Sequence, residues 1–145
     1  MEQIMPKIYT IGTNGKNKEI FAEILNAVDV NTVIDVRLWR QSRFVPWTSG
    51  TNLQRMLGDR YKYMPELAPT LDLLIKIKNS TINWTEYEQI FNDILKKRQI
   101  ENLFTPDTIN KGCFLCAEKT AENCHRRLVA EYLKQHFPEV EIVHL

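Results

Sequence analysis

The segment from Lys7 to Val36 constrains this fold most, because it can be built in essentially one way. KIYTIG, Lys7 to Gly12, is short, β-branched and aromatic, and it runs into the Gly/Asn loop GTNGKN, which reads as a buried strand followed by a turn. From Lys18 to Val28 the apolar residues Ile20, Phe21, Ile24, Leu25 and Val28 recur at helical spacing, the mark of a helix laid on a sheet. TVIDV, Thr32 to Val36, is a second strand. Strand, helix and strand in so short a span form a βαβ unit, whose connection is right-handed and whose strands run parallel.

The rest of the chain keeps the same alternation. Arg37 to Gly50, RLWRQSRFVPWTSG, has no clean period and interleaves arginines with aromatics, as a long binding loop or lid does. Asn52 to Leu57 reads as a short helix ended by Gly58, Tyr61 to Met64 as a short strand, and Leu71 to Lys78 as helix. A stronger helix follows, with Thr85 as the expected N-cap, Glu88 three residues on, and Ile90, Phe91, Ile94 and Leu95 on one face. Lys111 to Ala117 is an apolar run suited to a central strand. Asn123 is the expected cap of a helix carrying Leu128, Val129, Tyr132 and Leu133, and Val140 to Leu145 closes the chain as a strand. The expected fold is a single three-layer α/β domain over residues 1–145, with a mostly parallel sheet flanked by helices.

Composition narrows the class. A formal charge of +1 gives no global pull toward nucleic acid or membrane, so any anion site must be local. No apolar run approaches the roughly 18 residues of a spanning helix, so no membrane partner is expected. Three cysteines clustered within Gly112–Arg127 suit a reducing compartment, and the expectation is a cytoplasmic protein.

That cluster, GCFLCAEKTAENCHRR, is where chemistry is expected. In an open parallel sheet, ligands bind beyond the carboxyl ends of the strands. The strand map puts Asp35 and Arg37, Met64 to Glu66, and Cys116 to Glu118 on that edge, with Cys124, His125 and Arg126 at a helix start. With Asn123 as the cap, Cys124 falls in the first helical turn, where the macrodipole favours a thiolate, while His125 diverges from it and cannot serve as its base. A metal reading uses Cys113, Cys116, Cys124 and His125. It is weakened because Cys113 and Cys116 on one strand face opposite sides, so no metal is expected. A redox pair of Cys116 and Cys124 requires the 117–123 loop to fold back.

The arginines form a second constellation. Arg37, Arg40 and Arg43 in one loop, with Arg126 at the helix start, compose an electropositive recess for phosphate or carboxylate. Ion pairing with Asp35, Glu66 and Glu118 is the alternative. Trp39, Phe44 and Trp47 suit either base stacking or packing within the loop. GTNGKN lacks the glycine and lysine pattern of a phosphate loop, and no cofactor is expected.

YTIG at Tyr9 to Gly12, DVR at Asp35 to Arg37 with SR at Ser42 and Arg43 and then Pro46, YxxxPEL at Tyr61 to Leu67, and CAEK with CHR at Cys116 to Lys119 and Cys124 to Arg126 stand in this order. Together they resemble the domain-of-unknown-function 488 family over nearly the whole chain. The resemblance implies a single-domain α/β fold and brings no established reaction. It carries the family's polar positions onto Asp35, Arg37, Ser42, Arg43, Cys116, Glu118, Cys124, His125 and Arg126. Two departures stand out: Arg40 where members often have proline, and Ala68 where they often have glycine.

The function expected is that of an enzyme acting on a phosphate-bearing or nucleic-acid-derived substrate. Cys124, His125, Glu118 and Asp35 are the catalytic candidates; Arg37, Arg43, Ser42, Arg126 and Cys116 are the binding candidates. The alternatives are a non-catalytic nucleotide or nucleic-acid binding module and a small metal-binding protein.

Overall fold

The computed structural model describes residues 5–145. Five strands, β1 (Lys7–Gly12), β2 (Thr32–Asp35), β3 (Tyr61–Tyr63), β4 (Gly112–Cys116) and β5 (Glu141–His144), make one sheet in the order β3-β2-β4-β1-β5. Every pairing is parallel. The βαβ unit is present, but β4 sits between its two strands, pairing Tyr9 with Cys113 on one side and Val33 with Cys113 on the other.

Alternation along the strands sorts the core into two layers. On one face, Tyr9, Ile11, Val33, Cys113 and Leu115 pack with Phe21 and Leu25 of α1 (Lys18–Ala27) and Leu53 and Leu57 of α2 (Gly50–Leu57). On the other, Ile8, Ile34, Phe114 and Cys116 meet α4 (Trp84–Arg98) and α6 (His125–His136). α3 (Leu71–Lys78) rests against α4, and a single turn, α5 (Pro106–Ile109), leads into β4. Each fully buried aliphatic or aromatic side chain here contributes about 1.5–3 kcal/mol by leaving water.

Two helix caps differ from the sequence expectation. Asn83, not Thr85, caps α4: its side chain accepts from the Glu86 amide at 2.8 Å, and Glu86 returns the bond to the Asn83 amide at 3.2 Å. Asn83 and Thr85 each have a glutamate three residues on, so both satisfy the capping-box spacing. Starting at Asn83 adds Trp84 to the helix and buries Tyr87. Likewise Cys124, not Asn123, is the N-cap of α6, with extended backbone at φ −138° and ψ 139°.

The segment after β2 is a pinned loop. Its 3-10 turn at Pro46–Thr48 leads into α2, which begins at Gly50, two residues before the expected Asn52. A side chain at Gly50 would press on Arg40 Cδ at 2.7 Å and the Tyr61 hydroxyl at 2.8 Å, which favours glycine there. Among the described residues no helix is long and apolar enough to cross a membrane.

Candidate functional site

From the end of β2 the chain departs toward β3, and from the end of β4 it departs the opposite way, past β1 to β5. The splayed connections leave a crevice above these adjacent strands, the place where doubly wound sheets bind ligands. A cleft of about 530 Å³ opens there. Its floor holds Cys116, Cys124 and His125, and its walls include Trp39, Leu74, Ile77, Trp84 and Tyr87. Trp84 and Tyr87 are stacked, with ring centroids 4.5 Å apart and planes 12° from parallel.

Cys116 is the last residue of β4 and points to the α4/α6 face, whereas Cys113 points to the opposite core layer. Cys113 does not line the cleft, and burial pushes its thiol up in pKa. Because Cys124 is an extended cap rather than a helical residue, its side chain does not follow the helical spiral that would carry it away from His125. Its sulfur turns back to that of Cys116 and the two are paired as a disulfide, the 117–123 segment folding over as the pair requires. The two sulfurs and a His125 ring nitrogen all lie within 4.8 Å of one another. The expected divergence of Cys124 and His125 therefore fails, and the reason is the one-residue shift of the cap.

Hydrogen bonds fix each of these groups. His125 Nε2 lies 2.7 Å from the Val36 carbonyl oxygen. A carbonyl only accepts, so Nε2 carries the proton and Nδ1 keeps its lone pair. Burial depresses the imidazole pKa to about 4, with the Arg126 charge acting in the same direction against the Val36 bond, and the ring is neutral near pH 7. The edge of the contact with Phe91, 5.8 Å between centroids at 89°, holds the ring plane.

Arg126 lies directly behind the sulfurs and is 1% exposed. Nη1 donates to Cys116 Sγ at 3.2 Å, to Cys124 Sγ at 3.5 Å and to the Glu118 carbonyl at 2.6 Å. Its Nε is buried without a partner. The guanidinium thus lies directly against both sulfurs at the start of α6. Gly12 makes this approach possible, since a β-carbon there would collide with the Glu118 carbonyl and stand 2.9 Å from Arg126 Nη1.

The proposed arginine recess is largely used internally. Arg37 Nε and Nη2 grip Asp35 at 2.8 and 2.7 Å, and Nη2 also donates to the Arg40 and Thr48 carbonyls at 2.9 and 2.8 Å. Tyr61 completes the Asp35 shell at 2.6 Å. Burial lowers the Arg37 pKa, but the bonds and charge of Asp35 outweigh it and the net shift is upward. Ion pairing, the alternative to anion binding, thus describes Arg37 and Asp35. Arg40 lies over the Tyr63 ring, 5.4 Å from its centroid. Ser42 accepts from the Val45 amide and exchanges bonds with Ser49, while Arg43 is exposed; neither lines the cleft.

Glu118 lines the cleft mouth with an exposed side chain. Of the loop aromatics, Trp39 reaches the cleft, Trp47 packs on Phe21 at 5.3 Å in the other layer, and Phe44 is 95% exposed. The walls from α3 and α4 were not anticipated as site residues. The local signal for Trp84 and Tyr87 is the Asn83–Glu86 capping box, which puts both aromatics in the first turn; the contact with β4 is purely tertiary.

A family model described as domain of unknown function DUF488 matches residues 16–133. Comparison with curated proteins and with solved structures finds no match.

Proposed function

The chain belongs to the DUF488 family, and from that premise and the cleft geometry we propose that it is an enzyme acting on a small planar substrate, best met by a nucleobase-bearing, nucleic-acid-derived molecule. The observation carrying this reading is the convergence of a redox-active pair of cysteine sulfurs and a neutral imidazole on the floor of an aromatic-walled cleft at the sheet's switch point. A flat ring between Trp39 and the Trp84–Tyr87 wall would gain about 1–3 kcal/mol per aromatic contact. Cys116, Cys124 and His125 then stand where the ring's reacting edge would lie.

An anionic tail on the substrate has one natural partner. Lys78 lines the cleft and, among the described residues, makes no hydrogen bond or ion pair with protein, unlike Arg37. Phosphate recognition by a paired-arginine fork is accordingly not part of this reading. A reducing, cytoplasmic setting, which keeps thiols available, fits it.

The test is a fluorescence titration of the intact protein with a panel of nucleosides and nucleotides. Quenching should saturate, and Trp84→Leu or Trp39→Ala should weaken binding by roughly 5–150-fold, the equivalent of one lost stack. Absence of saturable quenching across the panel at millimolar concentration would overturn the substrate assignment. Saturable binding with no turnover would instead support a recognition module.

A further inference from the structure

We propose that Cys116 Sγ, Cys124 Sγ and His125 Nδ1 form a binding site for a thiophilic divalent cation of the zinc class, with its fourth coordination position open to the cleft. It rests on the reading of this cleft as a reaction site only in what the open position faces; the three ligands stand on geometry alone.

The donor geometry is the first support. The three ligand atoms lie within 4.8 Å of one another, and once the Cys116–Cys124 disulfide is reduced and its sulfurs separate, one ion at roughly 2.0–2.3 Å from each would sit among them. The backbone supports it independently. The Cα atoms of Cys116 and Cys124 are 7.8 Å apart, whereas disulfides require less than about 7 Å unless the backbone moves. The backbone separation is thus wide for the disulfide that joins the pair, and in the reduced protein it suits a shared central ligand better than a direct bond.

The surroundings are those of a metal centre. His125 gives its Nε2 proton to the Val36 carbonyl, the outer contact that aims the other ring nitrogen at a metal and fixes its tautomer. Arg126 Nη1 donates to both sulfurs, and such N–H donors beside thiolates tune and orient them. Two thiolates cancel the charge of a dication, leaving Arg126 to set the net charge of the centre. Sulfur and imidazole donors select against magnesium and calcium, which take oxygen. Three protein ligands with an open fourth position is the pattern of catalytic rather than structural zinc. All three ligand residues line the cleft, so the open side faces any bound substrate. Cys113, the fourth residue of the C-x2-C-x7-C-H spacing, faces the opposite core layer and cannot close the set.

The probe is cobalt(II), added alone to the full-length protein after reduction and chelator treatment. One equivalent should produce thiolate-to-cobalt charge-transfer absorption together with tetrahedral ligand-field bands, and zinc should displace both. Cys116→Ser, Cys124→Ser and His125→Gln should each lower affinity by more than the roughly 10–100-fold that loss of an outer-shell partner costs, while Cys113→Ala should bind as the parent does. If a cysteine variant fails to fold, His125→Gln and the parent spectrum still decide the matter. The proposal is overturned if the reduced parent protein gives no charge-transfer band, or if the band survives in the Cys116→Ser or Cys124→Ser variant. Running the nucleoside titration on metal-free and zinc-loaded protein separates the two readings. Base binding without metal binding removes only the metal site, and metal binding without base binding removes only the substrate assignment.

Discussion

Replacing Arg37 by methionine removes a guanidinium while keeping much of its stem, and the structure sets the cost. Asp35 is fully buried and accepts four bonds: from the Arg37 amide at 3.2 Å, Nε at 2.8 Å, Nη2 at 2.7 Å and the Tyr61 hydroxyl at 2.6 Å. The variant retains only the amide and the hydroxyl on a carboxylate that has no water to turn to, and it strips a donor from the Arg40 and Thr48 carbonyls. With an Arg37 side chain only 10% exposed, solvent screening is slight. Breaking one side of such a pair costs about 3–5 kcal/mol. At a urea slope of about 2 kcal/mol/M, the unfolding midpoint should fall by roughly 1.5–2.5 M with the slope unchanged. Circular dichroism during urea unfolding measures this directly. In the Asp35→Asn/Arg37→Met double variant the loss should fall short of the sum of the single losses by about 2 kcal/mol, within the range for coupled neighbours. A single-variant loss below about 1 kcal/mol, or strict additivity, would refute the claim that this pair holds the loop after β2.

Three further outcomes can be checked. Gly12→Ala should destabilise by about 2 kcal/mol or more, because its β-carbon collides with the Glu118 carbonyl that binds Arg126; thermal unfolding would show it, and a neutral result would mean the 117–123 segment can move aside. Asn83→Ala should cost about 1 kcal/mol through loss of the capping box, whereas Thr85→Ala, in the first turn of α4 past the cap, should cost clearly less; the reverse ranking would restore Thr85 as the cap. In reduced protein Cys113 should be alkylated only as fast as the chain unfolds, because it is fully buried and its thiol pKa is raised by that burial. Peptide mass spectrometry that found Cys113 labelled in the native state as quickly as Cys124 would contradict its placement.

Much of the architecture could be read from periodicity, because each layer repeats the same physical choice. Ile8, Ile34 and Phe114 take one face and Tyr9, Val33 and Cys113 the other, an alternation written directly into short strands. Helix starts were less legible where capping signals overlap: Asn83 and Thr85 satisfy the same spacing, and Asn123 stands beside Cys124 with stronger intrinsic cap chemistry. In both cases long-range contacts decided, through burial of Tyr87 and the meeting of two sulfurs. The site was legible by half. Cys116, Cys124, His125 and Arg126 fell on the expected edge, but charge alone could not tell whether Arg37 faces a ligand or its own strand. That depended on Tyr61 and Thr48, remote in sequence. The Trp84 wall depended on how α4 crosses the sheet, which no local pattern encodes.

The placement of β4 between β1 and β2 also governs how the sheet can be assembled. Ile8 pairs with Gly112, 104 residues later by their numbers, and β2 waits for the same strand. Closing so long a loop must precede any reward from the central ladder, so topology favours slow, all-or-nothing folding over growth from the N-terminus. During synthesis of the chain β4 follows β1 and β2 only after α1 to α5 and β3 have been made. Until then its first strand has no neighbour and its second has only the three-residue β3. Such unpaired edges are templates for pairing with other chains, so the step most exposed to aggregation is the wait for β4.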